Sequence, residues 1–368
     1  MSEFFLKIVN MSISASWLVL VVLLLRLLLK KAPKWVSVLL WGFVAVRLML
    51  PVTLESVFSL IPSAETISPD IMMDRTPEVS TGIGIVDSAV NPIITGSFAP
   101  KPYASANPLQ ILIPVFGNLW VLGILGMVLY TLISYFVLQH RVRTAVLLRD
   151  NIYQSETVDS PFVLGIIKPK IYLPFNLDPK DLEHVIAHER SHIHRKDHWW
   201  KPLGFLLLAI HWFNPLLWLG YILLCRDIEL ACDEKVIREM DNEAKADYTQ
   251  ALVTCSVNRR RIAACPLAFG EVGVKQRVKA VLHYKKPAFW IIIAAIIICI
   301  VTAVCFLTDP AVSTDAQLSV FIDCQIAEHF QSEETEGCAS CVNWKVLGTA
   351  RNGKKPPSIC GCCTRNTA

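Results

Sequence analysis

The sequence predicts a predominantly α-helical, polytopic membrane protein with four transmembrane helices and a smaller α+β domain. Two observations support this fold class. Of the 368 residues, 53% are hydrophobic and only 18% are charged, and the mean hydropathy is +0.46. These values suit a membrane protein better than a soluble domain. The apolar residues are also concentrated in long runs, separated by one polar stretch and one histidine-rich region.

Residues 1–52 are predicted to form transmembrane helices 1 and 2. The first apolar run, at residues 14–29 with residues 4–13 ahead of it, is long enough for a spanning helix. It is too long for a signal-peptide core and lacks a cleavage site, so we expect it to be retained. A second span is expected at 35–52, after a short basic loop that belongs in the cytoplasm. Arg47 is expected to snorkel to the outer face or to pair inside the bundle.

Residues 53–107 have a different composition and are predicted to form an extracytoplasmic loop. Proline, serine, threonine and glycine recur there, and acidic residues outnumber basic ones. A third span is predicted at residues 108–139 and a fourth, rich in isoleucine, at residues 287–308. Four spans place both termini outside and leave residues 309–368 as a short extracytoplasmic tail.

Residues 140–286, between the third and fourth spans, are predicted to form a cytoplasmic domain with metal chemistry. His188-Glu189-x-x-His192 has the form H-E-x-x-H. On a helix both imidazoles share a face and can bind one Zn²⁺, while Glu189 lies alongside as a general base. Zinc with three protein ligands lowers the pKa of bound water to about 7, which suits attack on a peptide carbonyl. The alternative interpretation is a polar helix that happens to be rich in histidine.

A third zinc ligand is predicted further along the chain. Glu229 and Asp233 are four residues apart and share a helical face. Glu229 can therefore complete a His₂Glu site, while Asp233 accepts a hydrogen bond from the second nitrogen of a ligand histidine. Asp227 and Glu234 are interpreted as solvated carboxylates on the same helix. Cys232 is expected to be a small core residue that faces away from Glu229.

The apolar run at residues 203–224 separates the two halves of this predicted site. A single membrane crossing there would place His192 and Glu229 on opposite sides of the bilayer, where they could not share a metal ion. Asn214-Pro215 interrupts the run, because proline lacks a backbone donor and clashes with the preceding turn. We therefore expect a re-entrant or interfacial helical hairpin that returns to its starting side and keeps the zinc near the membrane surface.

Two short strands joined by a turn are predicted ahead of the histidine helix, at residues 162–167 and 171–173. They form either an edge that pairs with an extended substrate or a scaffold hairpin. Asp178 or Asp181 is expected to cap the histidine helix. A further helix is predicted at residues 245–257. The candidates for stabilising an oxyanion besides zinc are His194, His198 and His211.

Residues 259–286 are strongly basic, which we interpret as the flanking charge of the fourth span, with anionic lipid headgroups as an additional attraction. The tail contains six cysteines, which suggest a zinc ribbon or disulfides, although the run is short and has little apolar periodicity. The tail cysteines are Cys324, Cys338, Cys341, Cys360, Cys362 and Cys363.

The combination of motifs resembles the BlaR/MecR-type antirepressor family of membrane zinc metallopeptidases. The segments that carry the resemblance are His188-Glu189-x-x-His192, His211-Trp212-Phe213-Asn214-Pro215, Glu229-Leu-Ala-Cys-Asp233 and residues 160–174. The resemblance implies Zn²⁺ as cofactor and a cytoplasmic, zincin-like α+β metallopeptidase domain. It also implies that an extracytoplasmic signal triggers cleavage of the protein itself, around residues 264–273, or of a cytoplasmic DNA-binding repressor.

The sequence departs from the β-lactam-sensing members of that family. Residues 309–368 contain neither Ser-x-x-Lys nor Lys-Thr-Gly, which a penicillin-binding sensor needs, so β-lactam recognition is not carried over. Two alternatives stay open: a housekeeping membrane zinc protease and a non-catalytic transmembrane receptor with a structural metal. The expected location is a bacterial plasma membrane. The expected partners are a cytoplasmic protein substrate, the lipid bilayer and a second copy of the chain, without direct contact to nucleic acid.

Overall fold

The computed structural model describes residues 2–50, 55–63, 65–73, 76–98, 108–257 and 273–310, which are mostly helical. The helices are α1 Ser2–Leu28, α2 Lys34–Met49, α3 Gly84–Phe98, α4 Pro108–Arg141, α5 Pro179–His194, α6 Asp197–Ile210, α7 Pro215–Ile237, α8 Asn242–Val257, α9 Val274–Leu282 and α10 Phe289–Phe306. The strands are β1 Glu55–Ser56, β2 Val146–Arg149, β3 Ile152–Ser155, β4 Phe162–Leu164, β5 Lys170–Pro174 and β6 Asp309–Pro310. Almost all of the predicted self-cleavage segment and of the tail lies outside the described residues.

Three helices, α1, α4 and α10, are long and apolar enough to cross a membrane. Along α4, apolar side chains such as Leu122 and Phe136 are exposed over nearly the whole length, a surface that needs lipid or a partner. Helix α2 has 16 residues and is about 24 Å long, shorter than a hydrocarbon core of about 30 Å. It packs against α1 and α7, and its role as a fourth span stays a prediction.

The apolar run at residues 203–224 forms a helical hairpin, as predicted. Helix α6 ends at Ile210, and α7 begins at Pro215 with Asn214 as its cap, whose side chain accepts a hydrogen bond from Leu216 N at 2.9 Å. The Asn214 amide also donates to the hydroxyls of Ser12 and Ser16, at 2.8 Å each. These contacts hold the tip of the hairpin against the middle of α1, and α7 returns to the end where α6 began. Insertion of this hairpin into a membrane stays a prediction.

A single apolar core joins α1, α2, α6, α7 and α10. Its fully or almost fully buried members include Leu18 of α1, Leu40 of α2, Leu208 of α6, Tyr221 of α7 and Cys299 of α10. Because the hairpin contributes to this core, it is an integral part of the helical bundle.

Asp227 of α7 is buried, so the interpretation of it as a solvated carboxylate is wrong, whereas Glu234 is half-buried. Asp227 is 2% exposed and forms a bidentate ion pair with Arg26 of α1, at 2.6 and 2.7 Å. It also accepts a hydrogen bond from Trp41 Nε1 of α2 at 2.9 Å. The Glu234 carboxylate accepts one from Lys34 N at 2.7 Å. The partners come from the first two helices, so the spacing along α7 alone could not reveal them.

Arg47, near the C-terminal end of α2, is buried and forms an ion pair with Asp309, just after α10. Of the two expectations for this residue, pairing inside the protein is the one found. Next to the pair, β1 and β6 run parallel, with Glu55 opposite Asp309 and Ser56 opposite Pro310. Helix α2 therefore has a buried polar contact to α7 at Trp41, near its middle, and a buried ion pair to the chain beyond α10 near its C-terminal end.

The predicted loop at residues 53–107 is not all loop, because α3 occupies Gly84–Phe98. Asp87, in the first turn of this helix, accepts hydrogen bonds from the backbone and hydroxyl of Thr81, at 2.8 and 2.5 Å. A carboxylate at this position satisfies donors at the start of a helix, a feature that the loop-like composition concealed.

A four-stranded sheet in the order β2-β3-β5-β4 supports the histidine helix. The predicted strand pair is confirmed as β4 and β5, which run antiparallel, whereas β2 and β3 were not predicted. Helix α5 packs Val185 and Ile186 on Ile171 and Leu173 of β5. Asp178 caps this helix, accepting from Lys180 N at 2.9 Å.

Candidate metal centre

His188, His192 and Glu229 converge where α5 meets α7. The Nε2 atoms of the two histidines are 3.2 Å apart. One Glu229 carboxylate oxygen is 3.4 Å from His188 Nε2 and the other is 3.5 Å from His192 Nε2. All three residues are buried, and together they form a group that could hold a metal ion. The structure therefore brings together the two imidazoles and the carboxylate that the sequence pairs as ligands.

The spacing of these atoms fits a tetrahedral zinc ion. Two ligand atoms at 2.0–2.1 Å from such an ion lie about 3.3 Å apart. The three observed separations, 3.2, 3.4 and 3.5 Å, are close to that value. Two imidazoles and one carboxylate are also a donor set that zinc takes in hydrolytic sites, with a fourth position for water.

Tyr248 of α8 and Asp233 of α7 orient the His188 imidazole through its Nδ1 atom, the ring nitrogen that does not face Glu229. Its Nδ1 is 2.9 Å from the Tyr248 hydroxyl, and that hydroxyl donates to Asp233 Oδ1 at 2.7 Å. Nδ1 is also 3.3 Å from Asp233 Oδ1. With the phenol proton directed to Asp233, the hydroxyl oxygen accepts from His188 Nδ1–H, so that Nε2 carries the lone pair that a metal would take, 3.2 Å from Arg277 Nη2. Asp233 thus contacts the His188 imidazole mainly through Tyr248, and its support of a metal ligand stays a prediction.

The His192 imidazole is oriented by Asp197, the first residue of α6. Its Nδ1 is 2.8 Å from Asp197 Oδ2, so that its Nε2 also faces Glu229 with a free lone pair. The turn between α5 and α6 makes this contact possible, because Lys196 adopts a left-handed conformation with φ of 61°. Cys232 does not face away from the site as expected, since its Sγ lies 3.2 Å from His192 Nδ1.

Two cations hold the Glu229 carboxylate in its ionised form. Lys201 of α6 donates to Oε1 at 2.9 Å, and Arg277 of α9 lies 3.4 Å from Oε2. Burial alone would raise the pKa of Glu229, but Lys201, His192 and Arg277 hold it well below its usual range. Burial and Arg277 would lower the pKa of His188, yet hydrogen bonds to Asp233 and Glu229 raise it to about 9. Both imidazoles therefore lie beside carboxylates, and a metal ion that binds them would displace their protons.

Glu189 lies next to His188 on α5 and is 7% exposed. It belongs to the helix that presents both imidazoles, which is the arrangement expected for a carboxylate that works beside a metal-bound water.

The three histidines considered as oxyanion stabilisers contact none of the three predicted ligands in the hydrogen bonds and ion pairs of the described residues, and that role stays a prediction. His194 is exposed, and His198 lies against the ring of Trp199. His211 is fully buried at the far end of α6, where its Nδ1 lies 3.0 Å from the carbonyl oxygen of Leu207. The residues that surround the ligands but were not predicted to do so are Asp197, Lys201, Tyr248 and Arg277.

Asp197→Asn is expected to weaken zinc binding by about 10- to 100-fold, the usual effect of removing a partner that orients a ligand histidine. The amide keeps the size of the side chain but removes the charge that polarises the His192 imidazole. Competition with a chelator of known affinity measures the change. Asp150→Asn is the matched control, since Asp150 lies on the surface with its side chain 74% exposed. Equal zinc affinity in the two variants would contradict a role for Asp197 at the metal.

The sequence of the chain is similar to those of known proteins. A family model described as BlaR1 peptidase M56 matches residues 6–281. The chain is 29% identical over 138 residues to the methicillin resistance mecR1 protein of Staphylococcus aureus, which covers 35% of this chain and 24% of that protein. It is 26% identical over 139 residues to the regulatory protein BlaR1 of Bacillus licheniformis, covering 36% and 23%.

The aligned part thus spans about a quarter of the length of each of these relatives. The family model, in contrast, covers most of this chain, including α5, α7 and all the residues described above at the site. The apolar helices agree with a membrane location. The chain therefore belongs to the BlaR1 peptidase M56 family of metallopeptidases.

Proposed function

We propose that the protein is a membrane-embedded zinc endopeptidase of regulatory signalling type. The observation that carries this proposal is the convergence of the His188 and His192 Nε2 atoms with the Glu229 carboxylate at separations that suit zinc. Glu189 on the same helix supplies the base that hydrolysis needs. Family membership supports a metallopeptidase. The name of one relative, regulatory protein BlaR1, favours signalling over general degradation.

Each residue of the centre has a distinct role in this proposal. His188, His192 and Glu229 bind zinc, which when present activates water and polarises the peptide carbonyl. Glu189 removes a proton from the attacking water and passes it to the leaving amine. Asp233, with Tyr248, keeps the imidazole of His188 in its metal-binding orientation.

The substrate in this proposal is a cytoplasmic protein, with a DNA-binding repressor and the chain itself as the candidates. Strand β4 is an edge strand of the sheet and packs beside α5. Its free edge suits an extended peptide, which would add to the sheet by backbone hydrogen bonds. An extended substrate is also the conformation in which one peptide bond is accessible to a metal-bound water.

The topology in this proposal has four spans, α1, α2, α4 and α10, with the peptidase region in the cytoplasm and both termini outside. The hairpin of α6 and α7 enters the bundle and returns, which keeps His192 and Glu229 on one side. The Arg47–Asp309 ion pair then lies, buried in the protein, near the outer face of the membrane. The Asp227 contacts lie near the metal centre. Helix α2 therefore offers a physical route by which an outside signal reaches the peptidase.

Metal removal and restoration test the proposed activity. We expect the protein, reconstituted in lipid vesicles and mixed with a cytoplasmic extract, to generate new protein N-termini that mass spectrometry detects. A zinc chelator should abolish them, and Zn²⁺ but not Mg²⁺ should restore them, because Mg²⁺ prefers oxygen ligands in octahedral geometry. New N-termini that persist without metal, or a purified protein that binds no zinc, would contradict the proposal. A protein that binds zinc without generating new N-termini would favour a receptor with a structural metal.

A further inference from the structure

We propose that Arg277 is a positioning residue of the metal centre, contributed by the helix that leads into the last predicted span. The inference rests on the proposed zinc site and adds to it a residue more than 40 positions beyond Glu229 in the chain. The basic composition of residues 259–286 gave no reason to separate Arg277 from its neighbours. The structure separates it, because Arg277 is buried whereas Lys275 and Lys279 of the same helix are exposed.

The Arg277 guanidinium contacts both carboxylates that support or form the centre. Nε and Nη2 each donate to Asp233, at 2.7 Å, in a bidentate arrangement. Nη1 is 3.4 Å from Glu229 Oε2, and Nη2 is 3.2 Å from His188 Nε2. Because zinc would use His188 Nε2 and the Glu229 carboxylate, the bidentate contact with Asp233 is the one by which Arg277 is suited to hold the centre in place. A planar guanidinium with fixed donors does this better than a single ammonium group.

The effect of Arg277 reaches His188 through two further contacts. Arg277 fixes the Asp233 carboxylate, which receives the Tyr248 hydroxyl proton at 2.7 Å. The Tyr248 hydroxyl is in turn 2.9 Å from His188 Nδ1. Without Arg277, the buried Asp233 would lose its counter-charge and its fixed orientation, and the ring of His188 would lose a defined partner. We therefore assign Arg277 to the geometry of the metal ligands.

A purely structural role is the alternative, since α9 also packs on the protein through an apolar contact. Val281 of α9 is fully buried against Ile237 and Tyr248. This contact holds α9 without any charge. A buried ion pair is weak support for stability, because apolar residues of the same size often serve as well. The presence of an arginine next to two metal-site carboxylates therefore points to positioning.

The test uses the full-length protein in detergent or lipid, with Zn²⁺ and Co²⁺ as probes. Competition with a chelator gives the affinity, and the visible absorption bands of bound Co²⁺ report the ligand geometry. Arg277→Met is expected to weaken metal binding by about 10- to 100-fold, the range for groups that orient metal ligands, and to shift the Co²⁺ bands. Arg277→Lys should bind with intermediate affinity, because lysine keeps the charge but not the bidentate contact. Lys275→Met, on the exposed face of α9, should match the wild type.

Arg277→Met leaves Asp233 without its counter-charge and can prevent folding by itself; Arg277→Lys keeps that charge and keeps the test decisive. It should retain the wild-type melting temperature of the metal-free protein, yet bind Co²⁺ more weakly than the wild type and with shifted bands. Wild-type affinity and bands in Arg277→Lys would overturn the inference. So would a loss in Lys275→Met as large as in Arg277→Met. These outcomes differ from failure of the proposed function, in which the wild type itself binds no metal or His188→Ala binds it equally well.

Discussion

Glu189→Gln is expected to retain zinc and to lose proteolysis by about 100- to 10,000-fold, the range for removal of a general base. Glutamine has almost the same size and shape as glutamate, so the packing of α5 and the positions of His188 and His192 should not change. It cannot accept a proton from water at neutral pH, however. The measurements are zinc content, single-turnover cleavage of the identified substrate, and the melting temperature of the purified variant.

Glu183→Gln is a matched control on the same helix. Glu183 faces solvent with its side chain 67% exposed and pairs with Arg149 on the surface, a contact worth little energy. This variant should keep both zinc and activity. Unchanged cleavage in Glu189→Gln would exclude Glu189 as the base. Loss of zinc together with activity would instead assign Glu189 to metal binding, contrary to the proposed His₂Glu ligand set.

The ligand set is the part of the site that periodicity could predict. His188 and His192 are four residues apart on one helix, as are Glu229 and Asp233 on another, so the period of 3.6 residues places each pair on one face. The interruption at Asn214-Pro215 predicts how the two helices meet, because a proline ends one helix and starts the next. The observed break between α6 and α7 and the ligand separations of 3.2 to 3.5 Å agree with these predictions.

The residues that orient and charge the ligands could not be predicted in this way. Arg277 is 89 positions from His188, and Tyr248 is 60 positions from it. No helical period relates such residues, and only the packing of α8 on α5 and of α9 on α7 brings them together. Asp197 is only 5 positions from His192, but a left-handed turn at Lys196 separates them, which periodicity also cannot predict.

The same limit explains the error at Asp227. On α7 this residue lies two positions before Glu229, and a carboxylate in such a charged segment is usually solvated. The partner that buries it, Arg26, is 201 positions earlier in the chain. Arg26 at the end of an apolar helix and Asp227 in a charged segment each look exposed when the local sequence is considered alone. Their pairing is visible only in the fold. Arg26 ends a nearly uncharged run, and by composition alone it belongs to the basic flank of the first span.

Asp227→Asn is expected to destabilise the protein by about 3 kcal/mol, the lower end of the range for breaking a buried ion pair. The lower end applies because the Arg26 side chain is 18% exposed and can be partly hydrated, whereas the Asp227 side chain is only 3% exposed. Since α7 also carries Glu229, two residues further on, zinc affinity should fall together with stability. Chemical unfolding of the metal-free protein and competition with a chelator measure the two effects separately.

The double variant Arg26→Met/Asp227→Leu distinguishes a broken pair from a lost contact. It removes both charges, so it should recover most of the stability that Asp227→Asn loses, as replacement of buried ion pairs by apolar residues often does. Asp150→Asn, which breaks an exposed pair with Arg190, should cost less than about 1 kcal/mol. If Asp227→Asn costs no more than this control, the Arg26–Asp227 pair does not hold α7 against α1. If stability falls while zinc affinity is unchanged, the pair supports the helical bundle but not the position of Glu229.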